Sequence, residues 1–531
     1  MKTRIVLKLV LCFTLITSYS YSQFPNWSWA KSCSSGINTS GNAIAIANDN
    51  MIYCLGQFKS DAISFGNITL TNNGKNETND IFIVKYNNAG EVQWAKSIGG
   101  NDDDIGNSIA ADENGNIYIT GGYTSHKIGF GKDTLINVGQ AGTNDIFIAK
   151  LNNAGVILWA KSAGGENDDL ANSIAVDKNK NVYIAGDFGS PKIIFQSRDT
   201  IINKGDHTGS SSDIFFSKFN TDGNLIWAKS IAGTQNAYDH AYGITVDSKN
   251  NVYLTGGTYS KELYFDSLSI SNAGINNTKA DSIRISKAIS MLMDSLGNLK
   301  DTSGFKSKRN STDRLVKVLP NERPFRIFEK IFISKYSPSG KIIWAEIVGG
   351  GDDEEGEAIA VDANDNIFIT GRFQSSSITL DSTTMNNNGS NDIFIAKYNS
   401  DGKSLWAKSI GGPADDRGKS INTDSYGNVY ITGWFSSSKV EFGKCLLVNS
   451  GSKYFTDMFI AKYNNEGAAL WSENPKGIDN DWGNGLVVDN AGNIYIIGGS
   501  DSSVLNFSNT KLSNSAKGIG KSFFISKINA K

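Results

Sequence analysis

The chain has 531 residues, with 55 glycines, 7 prolines, 11% aromatic residues and a formal net charge of −2. A nearly neutral charge excludes a general electrostatic attraction to nucleic acid. The many glycines and aromatic residues favour β structure, and a chain of this length can extend one repeat architecture instead of dividing into several domains.

Residues 1–22 are typical of a secretory signal peptide: basic residues precede a short apolar run over residues 9–16, and cleavage is expected before Gln23. The run is too short to span a bilayer, and no later stretch of the sequence qualifies as a transmembrane segment. Removing this segment takes away three basic residues and no acidic ones, so the net charge becomes −2 − 3 = −5. We expect a soluble, exported protein in the periplasm, at the cell surface or outside the cell. In that setting Cys33 and Cys54 either form a disulfide or remain buried thiols.

The tripeptide Trp-Ala-Lys, or a close variant, recurs along the chain. Its seven copies begin at Trp29, Trp94, Trp159, Trp227, Trp344, Trp406 and Trp471. The spacings are 65, 65, 68, 117, 62 and 65 residues, so one interval contains an insertion, at about residues 276–326. A fixed period indicates that one supersecondary unit is repeated. The insertion is interpreted either as a partner-binding lobe or as a tolerated loop.

Each repeat contains four predicted strands. In the second repeat they begin at Ser108, Asn116, Asp145 and Val156, with alternating apolar residues and turns rich in Asn, Asp and Gly. The excursion between the second and third strands, with a recurrent Phe-Gly pair, predicts an extra short hairpin.

The first and last predicted strands complete each other. The chain starts with a lone fourth strand, 27–32, and its last strand, 523–528, is of the third type. Pairing the two would complete a blade and leave no open sheet edge. We therefore predict an all-β, seven-bladed β-propeller over residues 23–531, with four-stranded blades and the last blade closed by the N-terminal strand. The predicted blades are 43–97, 108–162, 173–230, 243–347, 358–409, 420–472, and 485–528 plus 27–32.

The repeat resembles a known family. The pattern Asp-Ile-Phe-Ile-Ala-Lys-Tyr-Asn, Leu-Trp-Ala-Lys-Ser-Ile-Gly-Gly, Ile-Ala-Val-Asp and Gly-Asn-Val-Tyr-Ile-Thr-Gly is similar to the SBBP-type β-propeller repeat, over about residues 27–275 and 327–528. That family occurs in exported and cell-surface bacterial proteins. The resemblance implies a propeller fold and a role at the cell envelope.

An acidic position recurs in the segments predicted to cross from one blade to the next. Its members are Asp104, Asp169, Asp239, Glu354, Asp416 and Asp481. We expect these carboxylates to ring the mouth of the central channel. Either each one accepts hydrogen bonds from backbone N–H groups in a tight loop, or the carboxylates coordinate Ca²⁺, which prefers oxygen ligands of this kind. No other cofactor is indicated.

Candidate ligand-binding residues lie outside the repeated tryptophan column. They are Trp434 and Trp482, near the face with the longer loops, and the neighbouring carboxylates Asp415 and Asp416. No nucleophile elbow, phosphate-binding loop or zinc-binding histidine pair is present in the sequence. We therefore predict a monomeric, non-catalytic binding or scaffold propeller that recognises an envelope protein or glycan through its loop-rich face. The alternative is an extracellular enzyme that cleaves polysaccharide with channel-mouth carboxylates as acid and base.

Overall fold

The computed structural model describes residues 26–33, 38–74, 78–195, 199–204, 211–234, 237–266, 268–272, 327–451, 455–513 and 520–529. The predicted signal peptide and the insertion 276–326 lie outside the described residues. Regular structure within the described ranges consists of 42 β-strands. In that part of the chain no helix is long and apolar enough to cross a membrane.

Seven antiparallel blades of four strands surround a central channel, which confirms the predicted seven-bladed propeller. The innermost (first) strands are Thr39–Ile46, Asp104–Ala111, Asp169–Val176, Asp239–Val246, Glu354–Val361, Asp416–Thr423 and Asp481–Val488. The second strands are Ile52–Phe58, Ile117–Tyr123, Val182–Phe188, Val252–Thr258, Ile367–Phe373, Val429–Phe435 and Ile494–Ser500. The third strands are Asp80–Tyr86, Asp145–Leu151, Asp213–Phe219, Lys330–Tyr336, Asp392–Tyr398, Asp457–Tyr463 and Ser522–Asn529. The outermost (fourth) strands of blades 1 to 6 are Val92–Ile98, Ile157–Gly164, Leu225–Ile231, Ile342–Val348, Ser404–Ile410 and Ala469–Glu473.

Blade 7 receives its fourth strand from the beginning of the chain. Asn26–Ser32 pairs antiparallel with Ser522–Asn529, with Ala30 opposite Ser526. The predicted closure is therefore confirmed: the first and the last described strands complete the same blade.

Seven short hairpins join the second and third strands, as predicted. They are Ala62–Phe65 with Ile68–Thr71, Lys127–Phe130 with Asp133–Ile136, Lys192–Phe195 with Asp199–Ile202, Glu262–Phe265 with Leu268–Ser271, Ser377–Leu380 with Thr383–Asn386, Lys439–Phe442 with Cys445–Val448, and Val504–Phe507 with Thr510–Ser513. The hairpin residues Phe65, Phe130 and Phe442 are buried. Each hairpin therefore adds apolar area to the core between blades. In the same core Cys33 and Cys54 are free, buried thiols.

The repeated tryptophan docks each blade onto the turn between the third and fourth strands of the next. Six indole N–H groups donate to a backbone carbonyl oxygen of that turn at 3.0–3.3 Å; the pairs are Trp29 with Asn88, Trp94 with Asn153, Trp159 with Thr221, Trp227 with Pro338, Trp344 with Ser400, and Trp406 with Asn465. The lysine opposite the tryptophan donates to the same turn: Lys150 Nζ lies 3.1 Å from the Thr221 carbonyl oxygen. At the closure, Trp471 packs in a cluster with Trp27 and Ile528. These contacts explain why the tryptophan recurs once per blade.

The propeller has two different faces. The turns between first and second strands and between third and fourth strands lie together on one face, where Asn153 Nδ2 contacts Asp49 Oδ2 at 3.3 Å. We call it the turn face. The segments that cross between blades lie on the opposite face beside the loops that connect second and third strands, where Thr124 N donates to the Asp103 carbonyl oxygen at 2.8 Å. We call it the crossing face.

Candidate functional site

Each innermost strand contains a β-bulge that directs one side chain into the central channel. In blade 2 the register shifts between Gly106 and Ser108, so Asn107 is the bulged residue. The equivalent residues of the seven blades, which we call the channel ring, are Asn42, Asn107, Asn172, Tyr242, Glu357, Lys419 and Asn484. All seven line a cavity of about 460 Å³ at the centre of the propeller.

The four asparagines of the channel ring link consecutive blades. Their Nδ2 atoms donate at 2.9–3.1 Å to a backbone carbonyl oxygen of the next blade; the pairs are Asn484 with Gly41, Asn42 with Gly106, Asn107 with Ala171, and Asn172 with Ala241. This ladder runs from blade 7 through blades 1, 2 and 3 to blade 4. In that arc the channel ring has a structural role.

The ladder is interrupted in blades 4, 5 and 6. Here the channel ring carries Tyr242, Glu357 and Lys419, and the Lys419 ammonium pairs with the Glu357 carboxylate. Burial raises the pKa of Glu357, while Lys419 acts in the opposite direction. Burial, together with nearby carboxylates, also raises the pKa of Tyr242 well above its usual range, so its phenol stays neutral. One arc of the channel therefore presents ionisable groups in place of amides.

A second set of side chains lies two residues earlier on the same strands, nearer the crossing face. Its members, which we call the entrance ring, are Ser40, Ile105, Leu170, His240, Glu355, Arg417 and Trp482. Blades 1 to 3 contribute small or aliphatic residues, and blades 4 to 7 contribute charged or aromatic ones. The two rings therefore depart from the uniform repeat in the same sector.

Ion pairs organise the entrance at blades 3 to 5. Arg372 Nε lies 2.7 Å from Glu355 Oε2, and Arg372 Nη2 lies 3.4 Å from Glu329 Oε2. Burial, reinforced by Glu355, raises the pKa of Glu329 to about 8. His240 Nδ1 lies 3.3 Å from Asp187 Oδ1. Burial lowers the pKa of His240, but the bond to Asp187 and the charges of Asp187, Glu329 and Asp239 together leave the pKa above its ordinary value.

Tryptophans and cations occupy the entrance at blades 6 and 7. The Arg417 guanidinium lies 5.3 Å from the centre of the Trp434 ring and 3.2 Å from Asp415 Oδ2. In the next blade, Lys521 Nζ lies 4.8 Å from the centre of the Trp482 ring. Both indoles are half-buried. The structure thus brings the two predicted tryptophans onto adjacent blades of the entrance, each beside a cation. Their role in ligand binding stays a prediction.

The neighbouring carboxylates Asp415 and Asp416 have different surroundings. Asp415 is half-buried and faces Arg417, whereas Asp416 is fully buried. Asp416 Oδ2 accepts hydrogen bonds from Gly412 N at 2.8 Å and Ser437 Oγ at 2.7 Å, and burial raises its pKa to about 6. The two groups do not form an accessible pair of the kind that an acid–base mechanism on a polysaccharide requires.

The acidic column does not ring the channel mouth, so that part of the prediction is wrong. Each member is the first residue of an innermost strand and is fully buried. In every case a serine 21 residues later donates its Oγ to the carboxylate; the pairs are Asp104 with Ser125, Asp169 with Ser190, Asp239 with Ser260, Glu354 with Ser375, Asp416 with Ser437, and Asp481 with Ser502. This recurring spacing of 21 residues between an acidic residue and a serine is the sequence signal that indicates the burial of the acidic column.

Backbone groups complete the surroundings of these carboxylates. Asp104 Oδ2 accepts a hydrogen bond from Gly100 N at 2.7 Å, in agreement with the first of the two interpretations. Burial raises the pKa of Asp104 to about 7 and that of Asp169 to about 8. Among the residues that the structure describes, no group of three or more His, Cys, Asp or Glu side chains is placed to hold a metal ion. The Ca²⁺ interpretation stays a prediction.

Comparisons with known proteins agree with this architecture. A family model described as a β-propeller repeat, SBBP, matches residues 93–127, 222–264 and 405–434. The chain is 24% identical over 509 residues to an uncharacterized WD repeat-containing protein, L264, of Acanthamoeba polyphaga mimivirus; the match covers 83% of this chain and 33% of that protein. It is 26% identical over 145 residues to the regulatory protein FlaEY of Caulobacter vibrioides, which covers 27% of this chain and 14% of that protein.

The chain thus spans a third or less of the length of these relatives. Among solved structures, the WD40 β-propeller domain of Doa1 aligns with a TM-score of 0.40 and 7% identity, over 96% of this chain and 97% of that domain. The repeat matches and the seven blades of the structure agree. The chain is a β-propeller protein, and three of its regions match the SBBP-type β-propeller repeat.

Proposed function

We propose that the protein is an exported, non-catalytic scaffold that binds a partner protein at the crossing face, with the charged and aromatic sector of the channel entrance as its recognition centre. The observation that carries this proposal is the interruption of the asparagine ladder. Asparagine at the channel ring suffices to link blades, as four junctions show. Linking blades therefore does not by itself require Tyr242, Glu357 and Lys419, although the Lys419–Glu357 ion pair also joins blades 5 and 6.

The chemistry of this sector suits a protein surface. Arg417 and Lys521 are cations held over indole rings, and Trp and Arg are the residue types that most often dominate protein interfaces. The ion-paired arc around Arg372 adds polar groups at one side of the same entrance. An anionic segment of a partner with flanking apolar side chains would match this combination.

The relatives favour the same class of function. The mimivirus protein is named as WD repeat-containing, and the Caulobacter protein as regulatory. Export is supported by residues 1–22 and by the family resemblance. We expect the mature protein to begin at Gln23 and to be recovered from the periplasm, the cell surface or the medium. Fractionation of cells that express the tagged full chain, with mass spectrometry of its N-terminus, tests this; an intact N-terminus on cytosolic protein contradicts export.

Capture from envelope extract tests the binding proposal. The bait is the mature chain, and the test variant is Arg417→Ala, Trp434→Ala. The matched control is Tyr426→Ala, because Tyr426 lies in the same blade on the turn face and is 85% exposed. We expect the wild type and the control to capture the same protein and the double variant to lose most of it. If the captured material survives protease digestion of the extract but is lost after glycosidase treatment, the ligand is a glycan and the proposal of a protein partner is wrong.

A further inference from the structure

The junctions between blades contain a second recurring acidic position, which faces the acidic column. The first residue of each third strand lies close to the first residue of the next blade's innermost strand; in the first junction Asp104 N donates to the carbonyl oxygen of Asn79, the residue before Asp80, at 2.8 Å. Across six of the junctions the pairs are Asp80 with Asp104, Asp145 with Asp169, Asp213 with Asp239, Lys330 with Glu354, Asp392 with Asp416, and Asp457 with Asp481. At the closure the pair is Ser522 with Thr39. We call these the junction pairs.

Both carboxylates of a junction pair meet the same crossing segment. In the first junction Asp104 Oδ2 accepts a hydrogen bond from Gly100 N at 2.7 Å. A Cβ atom at the preceding residue, Gly99, would collide with Asp80 Oδ1. The two acidic side chains therefore converge on the Gly99–Gly100 segment.

In four of the five acidic junction pairs, one carboxylate oxygen lacks a hydrogen-bond partner. Within the described residues Oδ1 is buried and unpartnered in four junction pairs, those of Asp80, Asp145, Asp392 and Asp457. All four side chains are fully buried. In the fifth acidic pair, by contrast, Asp213 Oδ1 accepts a hydrogen bond from Gly233 N at 2.9 Å. A buried carboxylate oxygen without a partner is costly unless a proton, a water molecule or a cation meets it.

The junction between blades 4 and 5 places a cation at this position. Lys330 replaces the aspartate, and its Nζ lies 3.0 Å from Glu354 Oε2. The same ammonium donates to the carbonyl oxygens of Glu329 at 3.1 Å and Asp352 at 2.5 Å. The positively charged nitrogen is therefore surrounded by one carboxylate and two backbone carbonyls. In the first junction the equivalent carbonyls belong to Asn79 and Asp102.

Charge is balanced wherever the junction pair is not acidic. The charges of Lys330 and Glu354 sum to zero, and the pair of Ser522 and Thr39 carries no charge. A pair of ionised aspartates carries two negative charges, which one divalent cation would cancel. Ca²⁺ prefers carboxylate and carbonyl oxygens in flexible geometry, and both kinds surround the Lys330 ammonium.

We propose that the four junction pairs with an unpartnered Oδ1 each bind one Ca²⁺ ion at the position that the Lys330 ammonium takes between blades 4 and 5. The ligands in the first junction are the carboxylates of Asp80 and Asp104 and the carbonyl oxygens of Asn79 and Asp102. The ions fasten neighbouring blades and do not depend on the function proposed for the channel entrance. The proposal excludes Glu354, whose charge Lys330 already neutralises.

Equilibrium dialysis of the chelator-treated mature chain against ⁴⁵Ca²⁺ at about pH 8, up to about 5 mM, measures the stoichiometry. We expect about four ions per chain and a thermal midpoint that rises with Ca²⁺. The Asp80→Lys, Asp104→Glu variant copies the junction between blades 4 and 5 and should lose one ion. Because that variant could fail to fold, the reverse variant, Lys330→Asp, Glu354→Asp, is measured as well. It should bind one Ca²⁺ ion more than the wild type. Circular dichroism verifies folding.

Three results would overturn the proposal. The first is the absence of ⁴⁵Ca²⁺ binding with a midpoint that rises only on acidification, which would assign a shared proton to each junction pair. The second is a stoichiometry that neither variant changes, which would place the ions on surface carboxylates. The third is a thermal midpoint that does not change with Ca²⁺ although ions bind, which would show that the ions bind at sites other than the blade junctions.

Discussion

Removing one indole of the blade-docking column should destabilise the propeller by an amount that the structure allows us to work out. Trp159 is 9% exposed, and its Nε1 donates to the Thr221 carbonyl oxygen at 3.1 Å. Its ring lies against Gly223, where an added Cβ would come within 2.7 Å of it. Loss of a buried aromatic side chain of this size costs about 3–5 kcal/mol, so we expect that range for Trp159→Ala.

The hydrogen bond contributes a smaller share. In Trp159→Phe the Thr221 carbonyl oxygen would still accept from Lys150 Nζ, which lies 3.1 Å away. No buried acceptor is then left without a donor, and a net loss of about 0.5–1.5 kcal/mol is expected for the bond. The neighbouring Leu158 is 37% exposed, so Leu158→Ala serves as the matched control with a change of about 0.5 kcal/mol or less.

Equilibrium unfolding in urea, followed by far-ultraviolet circular dichroism, measures these differences. The expected order of free energies of unfolding is wild type, Leu158→Ala, Trp159→Phe and then Trp159→Ala. If Trp159→Ala were as stable as Leu158→Ala, the indole would not dock blade 2 onto blade 3, and the explanation of the recurring tryptophan would be wrong.

Three further predictions concern stability. With a chelator present, the urea midpoint should rise as the pH falls from about 8 towards 5, because burial raises the pKa of Asp104 to about 7 and that of Asp169 to about 8. A carboxyl group whose pKa is higher in the folded than in the unfolded chain stabilises the fold fully below the unfolded pKa. That contribution is lost as the pH rises through the folded pKa. A midpoint that increases with pH over this range contradicts the assignment. Asn172→Ala removes the donor to the Ala241 carbonyl oxygen and should cost about 1 kcal/mol in the same urea assay; no measurable loss would remove the structural role of the asparagine ladder. Gly223→Ala forces a side chain into a residue with φ of +77° and against an indole, so its thermal midpoint should fall below that of wild type, and an unchanged midpoint would show that the turn can move away.

Most of the architecture could be predicted from the sequence because it is repeated. The closure by Asn26–Ser32 followed from strand types that no other pairing would complete, and the hairpins followed from the recurrent Phe-Gly pair. Turn residues and strand alternation are local signals, and seven copies reinforce each of them.

The candidate site was harder to predict because it depends on contacts that are distant in sequence. The innermost strand of blade 2 begins at Asp104 and not at the predicted Ser108, since Ser125, 21 residues later, satisfies the buried carboxylate. The bulge at Asn107 also interrupts the alternation of side chains between the two faces of the strand, so that alternation cannot predict which residue faces the channel. Channel-facing residues such as Tyr242 and Lys419 therefore did not stand out in the sequence.

Site-specific photo-crosslinking tests the central claim, that a partner protein binds at the channel entrance, most directly. A photoreactive phenylalanine analogue would replace Trp434 in one protein and Tyr426, on the turn face of the same blade, in the other. The proteins are expressed in the source organism and irradiated, and the adducts are identified by mass spectrometry. We predict a discrete protein adduct from position 434 and none from position 426. Equal labelling at both positions, or an adduct from position 426 alone, would contradict recognition through the entrance.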